Sequence, residues 1–354
     1  AWIWARTVTC PNPACGIEMP LVRSWWLGKK KGKEAYIIPT VVGDHIEYTI
    51  GHDPQDAPTQ DNGGTINRNG AYCLACGTHV DFGHIRAEAQ NGNMESSLIA
   101  IVGEGERSRI YLPPDEAHVD ASLHATSSDA PVGDLPESAL GFRVQAYGML
   151  RYSDLFSKRQ LVALTTFSDL VGEARERVLR DALSTGAAEG ERLEEGGSGA
   201  AAYADAVATY LGFVVSRLTD YSSSINTWAS NPQMEILRNV FARQALPMSW
   251  DFAEGNPFAD SSGSLAIMIR AVSLAVERAP ARGPSVVEQA DAATRDYSGV
   301  VISTDPPYYD NIGYSDLSDF FYVWLRRSLK SIHPRLLSTV LVPKEEELVA
   351  NPYR

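Results

Sequence analysis

Apolar and polar positions follow different rules in successive stretches of the chain. Residues 1 to about 90 hold short β-type runs, such as Ala35-Tyr36-Ile37-Ile38 and His45-Ile46-Glu47-Tyr48-Thr49-Ile50, among many Gly and Asn. That pattern predicts a small β unit. Ala1-Trp2-Ile3-Trp4 reads as the middle of an apolar element. A strand-like Leu98-Ile99-Ala100-Ile101-Val102 then precedes a Pro/Asp/Ser-rich stretch through Pro136, as in a connector. Helical spacing starts near Ser153, a candidate N-cap, and runs through Leu161, Leu164, Phe167, Leu170 and Val171 to Leu183. The Gly/Glu-rich segment from Gly186 to Gly199 is predicted to be a flexible surface link. A second helix is predicted from about Ala200 to Asp220 and a third from about Ser264 to Arg278, after the Gly/Pro/Asp-rich loop Phe252 to Gly263.

After residue 283 the character changes. Ser285-Val286-Val287-Glu288-Gln289 and Gly299-Val300-Val301-Ile302-Ser303-Thr304 are β-branched runs. The second is nearly continuous in apolar residues, the mark of a strand covered on both faces of a parallel sheet. Ser315 is placed to cap a helix from Asp316 to about Lys330, with Leu317, Phe320, Phe321, Trp324 and Leu325 on its buried face. The predicted fold class is therefore α/β.

With 354 residues, 44% of them hydrophobic and 21% charged, the chain can bury a substantial core, which excludes a disordered tail or a stapled mini-protein. No run approaches the 18 or so apolar residues of a membrane span, and Ala1 to Arg6 lacks a signal-type n-region, so a soluble, cytoplasmic protein is expected. The absence of an initiator Met and the abrupt ends suggest a fragment of a longer protein. A net charge of −13 excludes a generally basic nucleic-acid binder, so any contact with a polyanion must come from a local patch.

Four cysteines are too few for a disulfide scaffold and point to a metal or a redox use. Cys10-Pro11-Asn12-Pro13-Ala14-Cys15-Gly16 and Cys73-Leu74-Ala75-Cys76-Gly77 are two turns that each end in Cys-Gly. Cysteines separated by two to four residues can face one ion, and the glycine lets the backbone fold around the thiolates. Four soft ligands favour zinc, and a closed set implies a structural role. Free buried thiols or a redox pair are the alternatives. His79 and His84 follow the second pair and are expected to be packing or surface residues. Beside the first knuckle, Arg23, Lys29, Lys30, Lys31 and Lys33 lie near Trp25 and Trp26. With Arg6, Glu18 and Glu34 they give residues 1–40 a net charge of +4. This is a candidate phosphate-contacting patch or, equally, a solvated hairpin tip. Arg326, Arg327, Lys330 and Arg335 form a second candidate basic edge, diluted by Glu345-Glu346-Glu347.

Directly after the apolar run stand Asp305-Pro306-Pro307-Tyr308. Ligands of open α/β sheets gather at the carboxyl ends of strands. Each proline fixes its own φ and restricts the residue before it, so the Asp305 carboxylate and the Pro306 carbonyl form two preset acceptors. An exocyclic amine that donates both N–H groups loses conjugation with its ring and becomes nucleophilic. Tyr308 offers a face on which a flipped base can stack for roughly 1–3 kcal/mol. A plain Pro-rich turn is the alternative.

Asp305-Pro306-Pro307-Tyr308 resembles the DPPY motif of amino-directed methyltransferases. The longer DPPYYDNIGYSDLSDFFYVWL, together with CPNPACG, is similar to the adenine-specific DNA methylases that carry a zinc ribbon. The resemblance implies part of a Rossmann-like methyltransferase sheet with an inserted zinc-ribbon unit, a helical region, and transfer of a methyl group from S-adenosylmethionine to N6 of adenine in DNA. Asp305 and the Pro306 carbonyl would hold the amine, Pro307 would shape the turn and Tyr308 would stack on the base. Asp291 stands about where such enzymes place an acidic residue near the cofactor's adenine. The implied organisation is a zinc-ribbon insertion over 1–95, a connector over 96–140, a helical region over 141–283 and the C-terminal part of the methyltransferase core over 284–354. No Gly-rich cofactor loop is found: Phe252-Ala253-Glu254-Gly255-Asn256-Pro257-Phe258 has one glycine and follows no convincing strand. The simplest expectation is that this loop precedes Ala1 and that the chain alone is inactive. A zinc-ribbon nucleic-acid binder without catalysis, or an RNA amino-methyltransferase, are the other readings.

Overall fold

The computed structural model describes residues 1–59, 63–106, 108–126, 129–279, 283, 285, 287, 290–307, 309–345, 347–350 and 353. In chain order the first elements are strands β1 (Trp2–Thr9), β2 (Glu18–Leu21), β3 (Trp26–Gly28), β4 (Ala35–Val42), β5 (His45–Gly51), β6 (Ile66–Asn67), β7 (Gly70–Tyr72) and β8 (His79–Val80). Helix α1 (Phe82–Gln90), β9 (Glu95–Glu104), β10 (Arg109–Leu112) and α2 (Glu116–Leu123) follow. Then come α3 (Lys158–Ser184), α4 (Ala200–Thr219), β11 (Thr227–Ser230), β12 (Glu235–Arg238), β13 (Asp251–Glu254), α5 (Leu265–Arg278) and α6 (Tyr314–Leu329).

The largest sheet is built on β1. One edge of this strand pairs along its length with β9, which in turn pairs with β10. The other edge is shared: Trp2–Ala5 face Glu254–Asp251 of β13, and Arg6–Thr9 face Leu21–Glu18 of β2. Residues expected in the insertion, the connector and the helical region thus meet in one sheet. Arg6 is buried at the seam. Its guanidinium donates to the carbonyls of Ser249 and Ser224 at 2.9 and 3.0 Å and lies over Phe252, so the sheet buries this charge only with its hydrogen bonds satisfied. Smaller sheets β3–β4–β5 and β6–β7–β8 and the β11–β12 hairpin complete the β part.

Every pairing between these strands is antiparallel, so the described residues do not form the parallel Rossmann-like sheet that was expected. The apolar run Gly299–Thr304 shows why. It is not a strand, and Val300, Val301 and Ile302 are exposed, Val301 almost completely. A run of this composition becomes a buried strand only when neighbouring strands accept its hydrogen bonds and helices cover it, and no described residues do so.

The helices share a second core. Helix α4 packs against both α3 and α6, and within the cluster Phe156 stacks on Phe320 and meets Trp324 edge-to-face. Three helix boundaries lie close to those predicted. The first does not: Ser153 lies in a 3-10 turn, and Ser157 caps α3 in a reciprocal box with Gln160. Ser315 is not a cap either, because its backbone and hydroxyl are taken by Glu347. The segment from Gly186 to Gly199 is tied down: Arg192 and the Leu193 N–H bond the buried Asp205, and Arg335 bonds Glu194. No helix among the described residues is long and apolar enough to cross a membrane.

Candidate functional site

The two Cys-Gly turns come together. Cys10 follows the last residue of β1 and Cys73 the last residue of β7, so the two sheets carry the knuckles. Within each turn the backbone closes on itself, with Cys15 and Gly16 donating to the Asn12 carbonyl and Gly77 to the Cys73 carbonyl. Gly16 and Gly77 have φ of 60° and 71°, a conformation that glycine adopts without strain. The ligand atoms of Cys10, Cys15, Cys73 and Cys76 all lie within 4.8 Å of one another. Two of the Sγ–Sγ edges are 3.7 Å (Cys10–Cys76) and 3.8 Å (Cys15–Cys73). A zinc ion with four bonds of about 2.3 Å sets its thiolates about 3.8 Å apart, so the cluster has the size that a tetrahedral ion needs. Burial pushes the Cys10 thiol up to about 12 and also raises Cys73, while hydrogen bonds from Thr78 draw the exposed Cys76 down to about 6. Four cysteines this close could hold a metal such as zinc. His79 and His84 are not part of the cluster; their ring nitrogens meet the carbonyls of Asn69 and Thr9.

The basic residues beside the first knuckle divide into two groups. Arg23 and Lys29 line a hollow of about 410 Å³ with Trp26, Gly63 and Gly64. The Lys29 ammonium lies 5.2 Å from the centre of the Trp26 ring. Lys30, Lys31 and Lys33 are exposed at the turn between β3 and β4. Trp25 is a core residue packed near Tyr48. The second basic edge is partly spent on ion pairs: Arg327 with Asp129 and Asp169, and Arg335 with Glu194.

At the proline turn, Asp305 and Pro306 are exposed and Pro307 is half-buried; Tyr308 lies outside the described residues. A hollow of about 330 Å³ opens beside them, lined also by Tyr314, Glu347 and Val349. The segment 347–350 straps over the turn. Its Glu347 carboxylate accepts from the N–H and hydroxyl of Ser315, and the Ala350 N–H donates to the Tyr309 carbonyl at 2.9 Å. Tyr309 has φ of 30°, a left-handed conformation unusual for a residue with a side chain. Farther back, the buried Asp319 accepts from the Val342 N–H and from Lys344, which anchors the start of the strap on α6. Among the described residues no ion pair involves Asp305.

Asp291 is not brought to this hollow. Its carboxylate accepts from the Ala293 N–H, closing a local turn. Nothing in the sequence pointed to Glu347, because an acidic triplet looks like a solvated surface and this one lies 32 residues after Ser315. No family model, no curated protein and no solved structure matches the chain.

Proposed function

We propose that this chain carries the target-base side of an enzyme that methylates the exocyclic N6 amino group of adenine in DNA, with S-adenosylmethionine as methyl donor. The observation that carries the reading is the hollow of about 330 Å³ in front of Asp305-Pro306-Pro307, onto which the exposed Asp305 carboxylate opens, with no ion pair to it among the described residues. Asp305 and the Pro306 carbonyl accept the two amine hydrogens, Pro307 holds the turn, and Tyr308 stacks on the flipped base. Once the nitrogen bonds to the methyl group it must lose a proton, and Asp305 is the base beside it. Direct transfer suits an exocyclic amine, and no cysteine stands near the turn to form a covalent intermediate.

The described residues do not assemble a binding site for the methyl donor: Asp291 closes its own turn, and Gly255 after β13 is a single glycine. The assignment therefore concerns the base-binding side, and a Rossmann-like sheet that uses Gly299–Thr304 as a strand belongs to the same proposal. Zinc in the cysteine cluster would be structural, since four thiolates leave no open coordination position. Arg23, Lys29, Lys30, Lys31 and Lys33 would contact phosphates. The exposure of Gly299–Thr304 favours a second reading, a zinc-ribbon nucleic-acid binder without catalysis; RNA instead of DNA is a third. Labelled methyl transfer to adenine-containing DNA by the intact protein, compared with its Asp305→Ala variant, tests the first reading. Retained DNA binding with no labelled product would favour the second.

A further inference from the structure

A separate hollow of about 240 Å³ lies between the start of β1 and the first turns of α3. Trp2, Trp4, Leu164 and Phe167 make it flat-walled and largely apolar, and Arg159 and His118 supply its polar edge. Arg159 donates through Nε and Nη2 to both oxygens of Glu254, at 2.9 and 2.7 Å, while its guanidinium carbon lies 4.1 Å from the centre of the Trp4 ring. The hydrogens on Nη1 are left without an acceptor among the described residues. The Trp2 Nε1–H donates to His118 Nδ1 at 3.3 Å, so in the neutral ring the proton of His118 sits on Nε2, a second donor.

These features restrict the occupant. Trp4 is buried and covered by Arg159, so the half-buried Trp2 is the wall on which a flat ring can stack, for roughly 1–3 kcal/mol. The spare N–H groups of Arg159 and His118, both reached by solvent, can pair with acceptor atoms on that ring. The Arg159 charge is already matched by the buried Glu254 carboxylate, so an anionic ligand would meet repulsion that a neutral one would not. We propose that this hollow binds an uncharged heteroaromatic ring with acceptors on its edge, of the nucleobase class. The site is independent of methyl transfer, since none of these residues lines the hollow at Asp305.

The test is a titration of the protein with adenosine and with a short single-stranded oligoadenylate, read by tryptophan fluorescence and calorimetry. Ala163, on the α3 wall of the hollow, is replaced by Phe to fill it. Saturable binding of adenosine, weakened at least about tenfold in Ala163→Phe with an unchanged melting midpoint, supports a free nucleoside as ligand. Binding of the oligonucleotide alone, with the same loss in the variant, supports a base within a strand. If Ala163→Phe does not fold, Trp2→Leu replaces it, and the same loss is expected. No saturable binding of either probe up to about 1 mM, or equal binding by wild type and the cavity variants, would overturn the proposal.

Discussion

Glu347 holds Ser315 by two hydrogen bonds, one from its backbone N–H at 2.9 Å and one from its hydroxyl. The pair joins the strap over the proline turn to the first turn of α6. It therefore couples the packing of the helical core to the shape of the hollow at Asp305. Hydrogen bonds to a charged group contribute about 1.5–3 kcal/mol each. Ser315→Ala removes the hydroxyl bond to Glu347 and keeps the backbone one, and is expected to lower unfolding stability by about 1–2 kcal/mol in urea titrations. Unchanged stability would mean that the clip does not hold in solution.

The cysteine cluster should bind one zinc ion per chain. Cys10→Ser and Cys73→Ser are expected to lose the metal, measured by elemental analysis, together with a marked drop in melting temperature. Cys10 and Cys73 belong to the cluster of Val8, Ile17, Met19, Ile66 and Ile85, so the metal and this small core should fail together. Metal-free protein with wild-type stability would refute the structural role.

Gly212 sits inside α4 where a helix ordinarily prefers alanine by about 1 kcal/mol. A Cβ there would lie 2.7 Å from Leu329 side-chain atoms of the adjacent α6. Gly212→Ala should therefore destabilise the protein, by about 1–3 kcal/mol in denaturant unfolding, because overpacking outweighs helix propensity. A stabilising effect would show that α6 yields at this contact.

The buried Asp205 accepts from Arg175 at 2.6 Å, from Arg192 at 3.1 Å and from the Leu193 N–H at 3.2 Å. Burial raises its carboxyl, yet these bonds outweigh it and hold the group below the usual range of 3.8. Its stabilisation is therefore present above about pH 3.8 and is lost as pH falls through the lower folded value. Near it, His333 meets Thr209 at 2.8 Å, and burial lowers its ring below the usual 6.5 despite Glu194 and Asp205, with Arg192 adding to the lowering. A lowered histidine binds its proton more weakly when folded. Its share of stability is full above pH 6.5 and declines as pH falls from there towards the folded value. The melting temperature should fall as pH drops below 6.5, and His333→Gln should flatten that part of the profile. An identical slope in the variant would place the pH dependence elsewhere.

Much of the helical part was legible because its signals are local. Ser264 caps α5 through the Ile267 N–H, and α4 starts directly after Gly199. The cysteine pairs were legible for the same reason, since each Cys-Gly turn is specified within a few residues. The main sheet was not, because β1, β9 and β13 lie far apart along the chain and short strands pair according to tertiary context rather than propensity. Ser153 and Ser157 are both good caps in composition; Gln160, three residues after Ser157, completes the box that decides between them. The apolar run at Gly299–Thr304 predicted burial that the described residues do not supply.

The most direct measurement is transfer of a labelled methyl group from S-adenosylmethionine to adenine-containing DNA by the full-length protein. Wild type should label N6 of adenine, and Asp305→Ala should lower the rate by at least about 100-fold with melting temperature and zinc content unchanged. Near-normal transfer by the variant, or none by wild type, would contradict the account.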